Sequence, residues 1–360
     1  MSRRRGLPLG CRPRGSCDHM DGEWWPLESA GPKVPDLQSG SLSNSPESAL
    51  SRRVCSTLDH APDSDRTSTN MVTPFTDAEL AAAFPEFQLD SPPLGIGTFK
   101  VAYRGRSAEE EFVLKVLIEP LPDVDEEGED VMPERFAREL AAMVELGSPR
   151  IAQIWRQPEV RIVGPGRHLW YAEHFYPGGT LEKVLEGGPV GFSAAVDIGL
   201  DLLEGVSSLW EANGIVHRDI KPGNIAFDES GHAVLLDLGI AYFSALDSLT
   251  DSFALSPRTP IYAAPEQFEM RRNARIDFRT DLFQIGIVLF ECLTGEHPFW
   301  RRGIAGDEYF KRLMSFDPAT LVAKGVEERA SLVIARLLAA TPSRRFRSIA
   351  SAVDALAGVR

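Results

Sequence analysis

The chain has 360 residues, 43% apolar and 25% charged, which suits one large globular domain or two to three small ones. Its formal net charge is −14, and residues 1–70 carry nine basic and nine acidic side chains, so the acid excess lies wholly beyond them. Phosphate backbones and anionic lipid both reward basic surfaces, which argues against nucleic acid as an obligate partner and against docking on a membrane.

Residues 1–72 are rich in Ser, Pro, Gly, Asp and Arg without a sustained apolar period, and are expected to be disordered. Ser39, Ser41, Ser43, Ser45 and Ser48 cluster there. The segment is either a phosphoacceptor tail or a plain extension, with Met20 and Met71 as alternative starts. Arg3-Arg4-Arg5 is followed by no apolar stretch, so no secretory leader is expected. Cys11, Cys17, Cys55 and Cys292 lack neighbouring His or Cys pairs and read as free thiols of a reducing cytoplasm.

Residues 73–91 form a lead-in, in which Thr76-Asp77-Ala78-Glu79 predicts a capping box and a short helix ending near Pro85. Leu94 to Gly105 and Glu111 to Leu117 predict two antiparallel strands, with Gly95-Ile96-Gly97 as a turn ahead of them. Residues 119–134 are an acidic surface loop. A helix is predicted over 133–146, with Phe136, Leu140, Met143 and Val144 on one face. Thr180 opens a short helix, and Ser193 to Ala212 a longer one. The helix predicted over Asp281 to Thr294 is nearly all apolar, hence buried. Its longest uncharged run, Leu282 to Phe290, has nine residues where a membrane span needs about 20. Two helices near 326–340 and 349–357 close the chain. Strands first and helices later, without regular alternation, predict an α+β arrangement.

The strongest chemical signal is His217-Arg218-Asp219-Ile220-Lys221-Pro222-Gly223-Asn224, followed thirteen residues later by Asp237-Leu238-Gly239. One short stretch supplies a candidate base (Asp219), a cation for phosphate (Lys221) and two hard oxygen ligands (Asn224, Asp237). Phosphoryl transfer asks a protein for these parts, because positioning and charge stabilisation carry most of the catalysis. The stretch resembles the catalytic loop and metal-binding triplet of eukaryotic-type (Hanks-type) serine/threonine protein kinases. The likeness covers about residues 92–356, and heavy use of Ala and Arg points to a GC-rich bacterial genome.

The resemblance implies a bilobal fold: a small β-rich N-lobe over about 92–172 and a larger α-helical C-lobe over about 178–356, with a nucleotide cleft between. It implies ATP and Mg²⁺ (Mn²⁺ as a substitute) as cofactors. Protein Ser/Thr hydroxyls are the acceptors, the chain's own included, and the setting is cytoplasmic. Asp219 is then the catalytic base, Lys221 and Thr259 its companions, and Asn224 and Asp237 the metal ligands. Lys115, inside an apolar strand, needs an anionic partner, because a buried unpaired ammonium is costly; Glu139 from the following helix is the candidate. Leu94, Gly95, Gly97, Ala102, Val113, Lys115 and Ala226 are assigned to the nucleotide. Glu173 opens the segment linking the lobes, with Ala172 gating the rear pocket, an alignment that takes one extra residue. Lys100 replaces the third glycine of the family's Gly-rich pattern, and either adds a cation near the phosphates or points to solvent.

Thr259-Pro260-Ile261-Tyr262-Ala263-Ala264-Pro265-Glu266 resembles the end of an activation segment. Glu266 is expected to pair with Arg345, or else Arg344, and Asp281 to cap the backbone of the catalytic loop. Leu238 stands where the family has Phe and is expected to pack on Met143 and His217. Arg218 is expected to answer a phosphate on Ser248 or Thr250. Two rivals remain: a nucleotide-binding scaffold without catalysis, and a small-molecule phosphotransferase of related fold, which would lack the Ala-Pro-Glu ending.

Overall fold

The computed structural model describes residues 73–97, 100–108, 110–121, 147–237, 260–268 and 276–360. Helix α1 (Asp77–Ala83) opens with the expected reciprocal cap. Thr76 Oγ1 accepts the Glu79 N–H at 3.2 Å, and the Glu79 carboxylate accepts the Thr76 N–H at 2.8 Å.

An antiparallel sheet follows, built from β1 (Gln88–Leu89), β2 (Gly95–Ile96), β3 (Lys100–Arg106), β4 (Glu111–Leu117), β5 (Ile154–Val163) and β6 (Gly166–His174). Its order is β1-β3-β4-β6-β5, with β2 added on β3. The β5–β6 pair was not foreseen. β5 alternates poorly because its register shifts twice, between Ile154 and Arg156 and again before Glu159. β6 is buried on both faces and therefore shows no period of two. A two-residue turn joins them at Gly164, where φ is +58° and a Cβ would meet the Glu79 carboxylate at 2.5 Å.

Side chains alternate across a strand, and directly opposed residues share a face. Val101 and Tyr103, Phe112, Leu114 and Val116, Trp170 and Ala172 line one face and are buried under Phe75, Leu80 and Phe84 of the α1 region. Phe112 stacks on Trp155 at 4.3 Å, and Phe84 meets Trp170 edge-on at 5.1 Å. The other face carries Lys100 and Ala102, Val113 and Lys115, Tyr171 and Glu173, since Ala102 opposes Lys115, Lys115 opposes Tyr171, and Val113 opposes Glu173.

The helical part comprises α2 (Leu181–Leu185), α3 (Phe192–Asn213), the hairpin β7 (Ile225–Phe227) and β8 (Ala233–Leu235), then α4 (Phe278–Thr294), α5 (Gly306–Met314), α6 (Ala319–Val322), α7 (Glu328–Leu337) and α8 (Ile349–Ala357). α4 is its centre, buried along almost its whole length against α3 and α7. Gly286 lets α7 come close, since a Cβ there would meet Leu338 at 2.9 Å. α4 starts at Phe278, ahead of the predicted Asp281, because Asp277 caps it by accepting the Arg279 N–H at 2.9 Å. The hairpin and helices α5 and α6 were not predicted. Among the described residues no helix is long and apolar enough to cross a membrane. The tail 1–72 and the helix expected over 133–146 lie outside the described residues.

Candidate active site

Arg218 (φ 67°) and Asp237 (φ 58°) are the non-glycine residues with left-handed backbone among those described. Such conformations cost of order 1–3 kcal/mol each and persist where the surroundings over-determine them. Around Arg218 they do. Asp281, fully buried on the first turn of α4, accepts the His217 N–H at 2.9 Å and the Arg218 N–H at 2.8 Å. Gln284, three residues on and so on the same helix face, accepts the Ile220 N–H at 3.0 Å and donates to the Arg218 carbonyl at 2.9 Å. Gln267 donates to that carbonyl as well, at 3.0 Å. Burial pushes the Asp281 carboxyl up to about 7, against the pull of its two amide donors. The structure thus places Asp281 where the sequence suggested, while the two glutamines were not foreseen.

His217 is fully buried, and burial pushes its imidazole pKa down, so the ring is neutral. Its Nε2 lies 2.9 Å from the Leu236 carbonyl and donates to it. The Leu236 N–H donates to the Asn224 carbonyl at 2.9 Å, which seats Asp237 beside the loop. Lys221 Nζ approaches the two Asp219 carboxylate oxygens at 2.9 and 3.1 Å. Asn224 Nδ2 donates to the Asp219 carbonyl at 2.9 Å and to its carboxylate at 2.8 Å. Asp219, Lys221 and Asn224 therefore form one connected polar group.

The sheet contributes charge. Lys115 is 3% exposed and ion-paired with both Glu173, at 2.6 Å, and Asp237. Lys100 Nζ lies 2.8 Å from the same Asp237 Oδ1 and 3.4 Å from the Tyr171 hydroxyl. Lys100 therefore points inward, and the solvent-facing alternative is set aside. Burial alone would raise the Asp237 carboxyl pKa, but the two ammoniums beside it hold it well below the usual carboxylate range. Burial opposes the charge on Lys115, yet Asp237 and Glu173 keep its pKa raised.

Two expectations about the rear of this face need correction. Glu173 does not open the linking segment; it lies within β6, which runs to His174, and its side chain is 2% exposed on the Lys115 face. Ala172 opposes Leu114 and faces the aromatic core, away from Lys115, so it cannot gate the pocket. The extra residue in the alignment was a one-residue slip, and a slip by one moves every side chain to the other face.

Ala102 and Val113 lie on the same face as Lys115, and Ala226 is buried in β7. Leu94 is exposed, with its N–H donating to the Ala102 carbonyl at 2.8 Å. The Gly97 N–H closes the turn on the Lys100 carbonyl at 2.8 Å, and a Cβ at Gly95 would meet nothing within 4 Å. No packing demand requires glycine at 95. Glu266 pairs bidentately with Arg345 at 2.6 and 2.9 Å and accepts from Thr280 Oγ1 at 2.8 Å; Arg345, not Arg344, is its partner. Glu139, Met143, Leu238, Ser248, Thr250 and Thr259 lie outside the described residues. Among those described, no cluster of three or more His, Cys, Asp or Glu is set to hold a metal. Asn224 and Asp237 each carry a hard oxygen of the kind Mg²⁺ prefers.

The family model for the protein kinase domain matches residues 90–355. The chain belongs to the protein kinase family. It is 29% identical over 253 residues to the serine/threonine-protein kinase PknL of Mycobacterium bovis, covering 69% of this chain and 60% of that one. It is 30% identical over 275 residues to the serine/threonine-protein kinase pkn2 of Myxococcus xanthus, covering 74% of this chain and 31% of that one. The chain thus spans about 60% or less of the length of these relatives. A crystal structure of Rad53 1-466 in complex with AMP-PNP shares the fold, with TM-score 0.56 and 23% identity, over 75% of this chain and 65% of that one. The kinase fold accounts for the α+β layout, a sheet followed by a helical region, that the order of elements had suggested.

Proposed function

We propose that the chain is an ATP-dependent serine/threonine protein kinase whose catalytic unit spans about 92–356, and that it acts in the cytoplasm, where ATP is supplied. The observation that carries this reading is the convergence of Lys115 on Asp237, beside a loop on which Asp219, Lys221 and Asn224 are bonded to one another. The named bacterial relatives support the acceptor class.

In this reading the triphosphate lies along the sheet face, with the Gly95–Gly97 turn over it and Lys115 on its oxygens. The base occupies the space by Ala102, Val113 and Ala226, with Leu94 at the rim. Mg²⁺ held by Asn224 and Asp237 would neutralise charge on the phosphate oxygens, and Mn²⁺ would suit the same ligands. Asp219 holds the acceptor hydroxyl in line and takes its proton. The hydroxyl oxygen bonds to the γ-phosphorus as the bond to the β–γ bridging oxygen breaks, and ADP leaves with that electron pair. Lys221 offsets charge on the phosphoryl group in transit. Thr259 and Glu139 keep their expected roles in seating the acceptor and pairing with Lys115, and one of Ser248 and Thr250 is a phosphosite answered by Arg218.

The test compares wild type with Asp219→Asn for Mg²⁺-dependent transfer from ATP to a generic basic protein and to the chain itself. Loss of a positioned base should cost about 10²- to 10⁴-fold. Equal rates in the two proteins would sink the reading.

A further inference from the structure

The buried charge around Asp237 shows an arrangement that the kinase reading alone does not require. Two ammoniums, Lys100 and Lys115, sit on one carboxylate oxygen of Asp237. Asp237 is also a proposed metal ligand. An oxygen that serves a metal cannot keep both lysines, so Lys115, almost fully buried, needs another anion. Glu173 provides one: its Oε2 is 2.6 Å from Lys115 Nζ, and no other cation pairs with it among the described residues. Its second oxygen, Oε1, is buried without a hydrogen-bond partner among them.

We propose that Glu173 is a positioning residue that holds Lys115 on the nucleotide face from within the sheet. The inference rests on the kinase reading and adds a second carboxylate, beside the proposed Glu139, as a partner for the lysine. Glu173 opposes Val113 on one side and Ile154 on the other, so strands pin its backbone on both flanks. Lys115 opposes Tyr171, one step along the same face, and such diagonal neighbours stand about 7–8 Å apart, within reach of long side chains. The partner is thus built into a strand that is paired on both sides. With Lys100 and Asp237 the group holds two cations and two anions, so bringing Glu173 inside leaves no net charge buried.

The test is a double-mutant cycle on MgADP affinity, measured by titration calorimetry, with the unfolding temperature recorded for each protein. Glu173→Gln should weaken MgADP by about 10-fold, the scale of one charge-assisted hydrogen bond. It should leave adenosine, which has no phosphate, unchanged. Lys115→Met should weaken MgADP at least as much, and adding Glu173→Gln to it should do nothing further. If the Glu173→Gln loss persists in the Lys115→Met background, or if adenosine weakens in parallel, Glu173 acts on the base or on the fold and the inference falls. Should Glu173→Gln fail to fold, Glu173→Asp keeps the charge and shifts the oxygens; a loss of MgADP affinity that disappears in the Lys115→Met background supports the inference, and one that remains overturns it. Wild type that binds no MgADP defeats the kinase reading itself. Wild-type affinity in a folded Glu173→Gln protein defeats only this inference.

Discussion

The two halves of the site are held by different forces. The loop carrying Asp219 is fixed by α4 through hydrogen bonds from buried side chains to backbone: Asp281 to two amides, Gln284 to an amide and a carbonyl. The sheet face is held by ion pairs among Lys100, Lys115, Glu173 and Asp237. Hydrogen bonds to a strained backbone have one good geometry, so the loop is a rigid platform for the transfer proposed above. Charge pairs can be exchanged for other charges at similar cost, which suits the half proposed to receive a metal and a triphosphate.

The sharpest way to break this contrast is Asp281→Ala. It strands the His217 and Arg218 amides, each costing about 1–3 kcal/mol when buried and unpaired. The expected loss is about 4 kcal/mol in denaturant unfolding, with transfer activity falling more than about 100-fold as the Asp219 loop relaxes. A folded variant with near-normal turnover would mean that α4 does not fix the loop.

A second carboxylate on α4 sharpens the contrast, because no backbone amide among the described residues donates to it. Among the described residues Glu291 accepts only from the Tyr262 hydroxyl, at 3.0 and 3.1 Å, and burial pushes its carboxyl up to about 7 from 4.5. The folded state therefore binds this proton more tightly than the unfolded chain. The stabilisation is complete below about pH 4.5 and is lost as pH rises through about 7. In urea unfolding, Glu291→Gln should gain on wild type by about 3 kcal/mol between pH 4 and pH 8. A difference that does not vary with pH would refute a carboxylate titrating there.

What the sequence disclosed follows the same division. Asp219, Lys221, Asn224 and Asp237 were legible because they lie close together along the chain and their spacing survives any error elsewhere. Glu173 was misread because its face depends on strand parity, and a single residue inserted in the linker reversed it. Gln267 and Gln284 left no signal; they serve a left-handed turn at Arg218 that no spacing along the chain marks. β5 was hidden by its register shifts and β6 by burial on both sides. Arg345 was found through the resemblance, since nothing local marks a guanidinium as the partner of a carboxylate 79 positions away.

Gln284→Ala probes the platform more gently. It strands the Ile220 amide but leaves the Arg218 carbonyl bonded to Gln267. About 2 kcal/mol of stability should go, half the Asp281→Ala effect. Turnover should fall without a change in KM for ATP, because the sheet face is untouched. A rise in KM with constant turnover would show that the two halves are not independently held.

The smallest effect belongs to Lys100, and it tests whether the sheet face exchanges its partners. Lys100 shares Asp237 with Lys115, and its side chain is 16% exposed, so water already screens part of its charge. If the ammonium passes from Asp237 to a phosphate oxygen when nucleotide binds, Lys100→Met loses one partly screened ion pair, about 1 kcal/mol or roughly 5-fold in MgADP affinity. The loss should shrink as salt rises from about 0.05 M to about 0.3 M, because the screening length contracts over that range. Lys115, more deeply buried, should show a larger loss that salt barely alters. If MgADP binds more tightly to Lys100→Met at both salt concentrations, Lys100 competes with the metal for Asp237 and contributes nothing to the phosphates. The sheet face would then be a guarded site that cations must vacate, instead of one whose cations follow the ligand.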